Sequence, residues 1–175
     1  LGDIVQIRNT TTNKPEIQLI QETDDATGAK LTFRSERRDG SIQVGEDDDV
    51  LGSILFQGYD DGTNLLVGGY AKIYADIHDA TNGEESGRLN LQVVNHNGAL
   101  GSGLILTGGS TTGEIDVTLG LGAASVVTIP GDIDLAGDVD VDGTLETDAL
   151  TIGGAAVLAQ ATASAVGAVE LATTG

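Results

Sequence analysis

The residue types best suited to chemistry in this chain are acidic, and the sharpest pattern among them is Asp138-Val-Asp140-Val-Asp142-Gly143. Carboxylates at alternate positions followed by glycine open a calcium-binding loop, which closes on a bidentate Glu at its twelfth position. Ala149 stands there. The intervening valines alternate as in a strand, and Asp132 and Asp134 repeat the spacing. Asp138, Asp140 and Asp142 therefore read first as a solvated strand face and second as a weak inter-chain cation site. Asp76, His78, Asp79, Glu84 and Glu85 gather near a turn, where an imidazole among carboxylates could hold a divalent metal. The only other histidine, His96, lies in the turn sequence NHNG. Without a second firm ligand, an exposed hairpin tip is the better account.

Other chemistries lack a necessary part. Glycoside hydrolysis needs two opposed carboxylates and usually a sugar platform. With 27 acidic residues, close pairs arise by chance, and the chain has no Trp. No G-x-S-x-G elbow singles out a nucleophilic serine. Gly108-GSTT-Gly113 spaces its glycines like a phosphate loop, but Glu114 occupies the lysine position and would repel phosphate. Gly120-Leu-Gly122 begins a dinucleotide fingerprint that Ser125 interrupts and no long helix follows. Asn9-Thr10-Thr11 is a glycosylation tripeptide of a kind that chance supplies often. Arg34, Arg37 and Arg38 form the one basic cluster, either a solvated strand end or a dock for an acidic neighbour. The chain is expected to be no enzyme, with no cofactor, no catalytic residues and no firm metal site.

The elements around these residues are strands. Ile17 and Leu19, Leu31 and Phe33, Ile54 and Phe56, and Ala71, Ile73, Ala75 and Ile77 each alternate with more polar neighbours. So do Leu89, Leu91 and Val93, then Leu104 and Leu106, then Ile115, Val117 and Leu119. Alternation with period two gives a strand one face fit for burial. Asp39-Gly40, Asp61-Gly62, Asn82-Gly83 and Asn97-Gly98 supply residues that reach the positive φ of tight hairpins. Residues 1–107 are thus expected to form roughly eight strands of an antiparallel β-meander or small sandwich. Residues 108–128 are a Gly/Ser/Thr-rich β connection with room for two short strands.

Residues 129–154 hold the most regular pattern, with Gly131, Gly137 and Gly143 six apart. Ile133 and Leu135, then Val139 and Val141, alternate with aspartates between those glycines. One such strip is too small to bury its apolar side alone, and repetition of this kind implies stacking. A trimeric β-prism would place Ile133, Leu135, Val139, Val141 and Leu145 on its axis and leave the aspartates in water. Residues 155–175 are Ala-rich and read as a short helix or an extended linker. A start at Leu1 and a stop within an Ala/Thr stretch suggest a piece of a longer or processed protein.

Composition sets the outer limits. Eight Lys plus Arg against 27 Asp plus Glu give a net charge of −19 over 175 residues. That balance opposes phosphate neutralisation and docking on anionic membranes. No apolar run approaches a membrane-spanning length of ~20 residues. Cysteine is absent, which removes disulfides and thiolate metal sites. Five aromatic residues (two Phe and three Tyr) are few for a self-contained core, and burial between chains would supply the difference.

Two stretches resemble bacteriophage tail-fibre proteins. Asp49-VLGSILFQGYDDGTN-Leu65, with the following 70–94 and 104–106, is similar to a recurrent fibre module through Asp49, Leu51, Gly52, Ile54, Phe56, Gly58, Asp60, Ala71, Ile73, Gly87, Leu89 and Leu91. Val127-TIPGDIDLAGDVDVDGT-Leu145 resembles the Gly-spaced strips of viral fibre shafts, and Gly167-AVELATTG resembles a closing tract of tail fibres. The resemblance implies a homotrimer in the virion, no enzymatic activity, and contacts with other virion tail proteins. Its function would be to extend the particle toward a tip that binds host receptor. The alternatives are a module that itself recognises host cell-surface glycan, through residues 58–66 or 78–87, and a bacterial surface adhesin.

Overall fold

The computed structural model describes residues 4–11, 15–24 and 26–146, and the backbone of 151, 152, 155 and 156. The chain forms two compact units, residues 1–128 and 129–175. All regular structure among the described residues is β, and none is helical.

The first unit is built on a five-stranded antiparallel meander. Its strands are β3 (Val50–Phe56), β4 (Ala71–Asp79), β5 (Ser86–Val94), β6 (Leu100–Gly108) and β7 (Ile115–Leu119), paired in that order. A hairpin of two short strands, β1 (Arg38–Asp39) and β2 (Ser41–Ile42), precedes it. Among the described residues no second layer covers the sheet, so it is an open single sheet and not a sandwich.

The connections follow turn chemistry closely. Gly40, Gly83 and Gly98 have φ of 72°, 90° and 82°, each the glycine of an Asx-Gly pair, and they reverse the chain at β1–β2, β4–β5 and β5–β6. At the fourth pair the positive φ falls one residue later, on Thr63 (64°), because Asp60 organises that loop. The Asp60 carboxylate accepts the Asn64 backbone N–H at 2.7 Å. The β6–β7 turn uses Gly113 (φ 86°), which no Asx residue precedes.

Strand register sorts the side chains of this sheet. Ile54 faces Ile73, Ile73 faces Leu91, Leu91 faces Leu104 and Leu104 faces Leu119. The parallel row runs through Ala75, Leu89, Leu106 and Val117. Directly opposed residues share a face, so one side of the sheet is apolar from edge to edge. The other side carries Lys72, Tyr74, Asp76, Arg88, Asn90, Gln92, Ser102, Thr107, Asp116 and Thr118, with Val50, Leu55, Val94, Leu100 and Ile105 its apolar members in the paired rows. Bulges at Val50/Gly52 and Leu91/Gln92 shift the register without breaking this division.

Burial runs against the usual order. Among the described residues no apolar side chain is buried, and the three buried polar residues are Asp76, Asn90 and Ser102. Leu89 and Leu91, at the centre of the apolar face, each remain 37% exposed. Two side chains reach that face from outside the sheet at positions kept open by glycine. A Cβ on Gly52 would lie 2.4 Å from the Cβ of Phe33, and one on Gly101 would lie 2.5 Å from Leu121 Cδ2.

Several expected strands do not form. Ile17 with Leu19, and Leu31 with Phe33, lie in described segments without regular structure. No Asx-Gly reversal brings a neighbouring strand to them, and a strand without a ladder is not stable in water. Among the described residues six strands, not eight, begin before residue 107, and β7 carries the sheet past that boundary to Leu119.

In the second unit the chain bends near Gly131, Gly137 and Gly143 and forms no ladder over residues 129–146. Ile133, Leu135, Val139, Val141 and Leu145 are exposed within one copy. A two-residue pair, β8 (Thr151–Ile152) with β9 (Ala155–Ala156), follows. The remaining residues of the expected Ala-rich helix or linker, 157–175, lie outside the described residues, as do Ala149, the twelfth position of the calcium pattern, and the closing tract at 167–175.

Candidate functional site

The most organised polar group lies on the polar face of β4, β5 and β6. Asp76 pairs with Arg88 across the β4–β5 ladder. Arg88 Nη2 donates to Asp76 Oδ2 at 3.2 Å and to Asp48 Oδ1 at 2.7 Å. Asp48, at φ 66°, holds the strained corner of the turn before β3. Arg88 Nε stands 3.0 Å from Asp76 Oδ1, close enough for ion pairing but misaligned for a hydrogen bond. Hydrogen bonds to Asp48 and then Asp76 hold the guanidinium even more firmly protonated than usual. Beside this group, Gln92 Nε2 donates to Ser102 Oγ at 3.1 Å, and Ser102 Oγ donates to Asn90 Oδ1 at 3.3 Å. Asn90 Nδ2 is buried without a hydrogen-bond partner, flanked in the ladder by Tyr74 and Ile105. Lys72 Nζ sits 4.3 Å over the Tyr74 ring, a cation–π contact that shields the same region. The network holds the Ser102 hydroxyl between the Gln92 and Asn90 amides and engages both carboxylates, Asp48 and Asp76, with Arg88. Its chemistry is that of pinning strand register, since a slip by one residue would separate every pair in it.

The acidic residues around the β4–β5 hairpin are used in the turn itself. Asp79 Oδ1 accepts the Thr81 N–H at 2.8 Å, which holds its carboxyl below the ordinary 3.8. Backbone N–H groups of Glu85 itself and Gly83 lower the Glu85 carboxyl likewise. Asp76 turns to Arg88 and so leaves His78 without it. Among the described residues no three His, Asp or Glu side chains converge as a metal requires, around His78 or at Asp138, Asp140 and Asp142. An open depression of about 1220 Å³ spans this end of the sheet, lined by His78, Glu84, Glu85, Thr107, Glu114 and Asp116 among others. No Phe or Tyr is among its lining residues.

The other motifs resolve into turns. Glu114 Oε2 accepts the Thr111 N–H at 3.0 Å, so a carboxylate fills the loop that resembles a phosphate cradle. Ser125 Oγ accepts the N–H groups of Leu121 at 3.0 Å and Gly122 at 3.3 Å, closing the partial dinucleotide pattern as a serine-capped turn. Asn9 Oδ1 accepts the Thr11 N–H at 2.7 Å. The basic cluster is paired within its own chain: Arg37 with Asp49 and Glu46, both at 2.7 Å, and Arg34 and Arg38 with Glu36. The Arg37 contact is the first cause holding the Asp49 carboxyl below its ordinary value.

Asp76 belongs to this network and not to the acidic cluster suggested by its neighbours in sequence, and Asn90, Ser102 and Gln92 form no local motif. The available signal was that β5 alternates Arg, Asn and Gln against Leu, Leu and Val, a polar row in register with Asp76 and Ser102. The feature of widest extent remains the apolar face opposite. No protein-family model, curated protein or solved structure matches this chain.

Proposed function

We propose that this chain is a structural segment of a virion appendage such as a bacteriophage tail fibre, working as a homotrimer that extends the particle toward a receptor-binding tip and joins other tail proteins. In this reading residues 129–154 form a β-prism-like shaft, with Ile133, Leu135, Val139, Val141 and Leu145 turned to its axis. One observation carries the reading: among the described residues, no apolar side chain is buried within a single copy. A well-ordered antiparallel sheet needs apolar burial for stability, and association between copies provides it. The resemblance of 49–94 and 127–145 to fibre modules points the same way. The polar network suits a load-bearing role, because it fixes register without presenting reactive groups.

The test is the solution mass of the chain by light scattering coupled to size exclusion. The expected value is about 53 kDa, three times 17.8 kDa. A folded species of single-chain mass would overturn the proposal.

A further inference from the structure

We infer that the apolar face of the β3–β7 sheet, and not only the strip at 129–154, is the surface through which copies of this chain bind one another. The inference rests on the fibre reading above and assigns it a surface. Fourteen side chains of Ala, Ile, Leu, Val and Phe in the paired rows make up the face, beginning with Ile54 and Phe56 on β3 and ending with Val117 and Leu119 on β7. Glycines 52, 87, 101 and 108 complete those rows, and no polar side chain interrupts them.

Charge selects the occupant. Each copy carries −19. The charged residues in the paired rows of the sheet, Lys72, Asp76, Arg88 and Asp116, and Asp79 opposite Ser86 beyond the bulge, all stand on the opposite side. The apolar face is therefore the one broad surface of the sheet on which two such acidic chains can meet without setting carboxylate against carboxylate. A second copy brings a face of the same composition, and apolar surfaces of equal extent are self-complementary.

Area agrees. Five strands about 4.8 Å apart, and about 27 Å long, present a face of roughly 600 Å². Two facing copies bury on the order of 1,200 Å², the lower end of specific interfaces, and three converging copies on the order of 1,800 Å². A contiguous apolar patch of roughly 600 Å² on one copy stands at the upper end of what single chains expose, where patches are often functional. Side chains of the same copy reach the margins, Phe33 at Gly52 and Leu121 at Gly101, and leave Leu89 and Leu91 each 37% exposed.

The full chain offers a clean test, because it contains no cysteine. Leu91→Asp places a carboxylate at the centre of the apolar face, and Thr118→Asp places one on the polar side. Light scattering is expected to give a three-copy mass for the parent and Thr118→Asp, and a single-copy mass for Leu91→Asp. In parallel, Leu91→Cys, with one thiol per copy, treated with a short bis-maleimide is expected to yield covalent dimers, and Thr118→Cys only monomer. Should Leu91→Asp fail to fold, the cysteine pair decides alone. A three-copy parent whose mass Leu91→Asp leaves intact, or whose copies cross-link through position 118 and not 91, overturns this surface and spares the fibre reading. A single-copy parent overturns both.

Discussion

The five-stranded sheet and the strip at 129–146 share one pattern, apolar residues at alternate positions, and reach different ends within a single copy. In the sheet, runs of up to nine residues are joined by turns with a glycine at positive φ, and every run finds a neighbour. In the strip, runs of five residues between glycines bend and form no ladder. Nine residues give enough hydrogen bonds and cross-strand pairs to offset the ordering of a hairpin, and five-residue β7 adds to the edge they build with three apolar residues; the runs of the strip carry two each and form no ladder. Alternation sets which side of a run can be buried. Run length and turn chemistry set whether the burial partner lies in the same chain. In the sheet the copy supplies the strands but no cover, and in the strip it supplies neither.

The largest effect is expected from Arg88→Leu. It strands the Asp76 carboxylate, 3% exposed, without its counter-ion, a loss of about 3–5 kcal/mol for a buried pair broken on one side. Urea unfolding should show a clear fall in midpoint, and Arg88→Leu with Asp76→Leu should recover most of it. A loss of under about 1 kcal/mol for the single variant would remove the network as the sheet's register lock.

Glycine substitutions separate the two regions next. Gly52→Val drives a Cβ into Phe33 and is expected to cost about 1–3 kcal/mol. At Gly137 an added Cβ meets nothing within 4 Å in one copy. Under the proposed shaft, Gly137→Val should leave the sheet's unfolding midpoint unchanged and weaken association, read as a drop in mass on dilution. An unaltered mass on dilution would place the strip outside the interface.

Acid should act on the turns before the strip. The carboxyls of Asp49, Asp60, Asp79 and Glu85 are all held below their ordinary values, mainly by hydrogen bonds from Arg37, Asn64, Thr81 and local backbone N–H groups. Groups with lowered folded pKa contribute stability in full above the unfolded value, and that contribution is lost as pH falls through the folded value. The sheet's melting temperature should therefore decline as pH drops below about 4, in the carboxylate range. Asp79→Asn should decline less steeply, and an identical slope would detach Asp79 from the effect.

The smallest effect is that of salt. Three copies bring together −57, three times −19. Raising ionic strength from 0.01 M to 0.15 M shortens the screening length from about 30 Å to about 8 Å. The assembled mass should persist to lower protein concentration in the higher salt. No dependence would show that the charges of neighbouring copies stay well separated.

Much of this was legible in the residues. The alternation at 54–56, 71–77, 89–93, 104–106 and 115–119 marks the five strands of the sheet, and three Asx-Gly pairs mark their reversals or that of the small hairpin, because both signals are local. The expected strands at 17–19 and 31–33 were illegible as failures for the same reason: a strand is completed by its neighbour, and alternation says nothing of whether one arrives. The strained turns at Asp48 and Thr63 were hidden too, since neither residue type announces a positive φ.

Sequence by itself determined that the chain is β-rich and acidic, that each strand has one apolar side, and that no familiar catalytic or metal motif is complete. Those properties follow from residue type and spacing alone. Only the tertiary structure decided that the apolar sides of five strands align into one uncovered face, that Asp76, Asn90 and Ser102 meet on the other, and that the arginines are satisfied at home. Each depends on register between strands distant in sequence, and register is a property of paired backbones that no single run of residues contains.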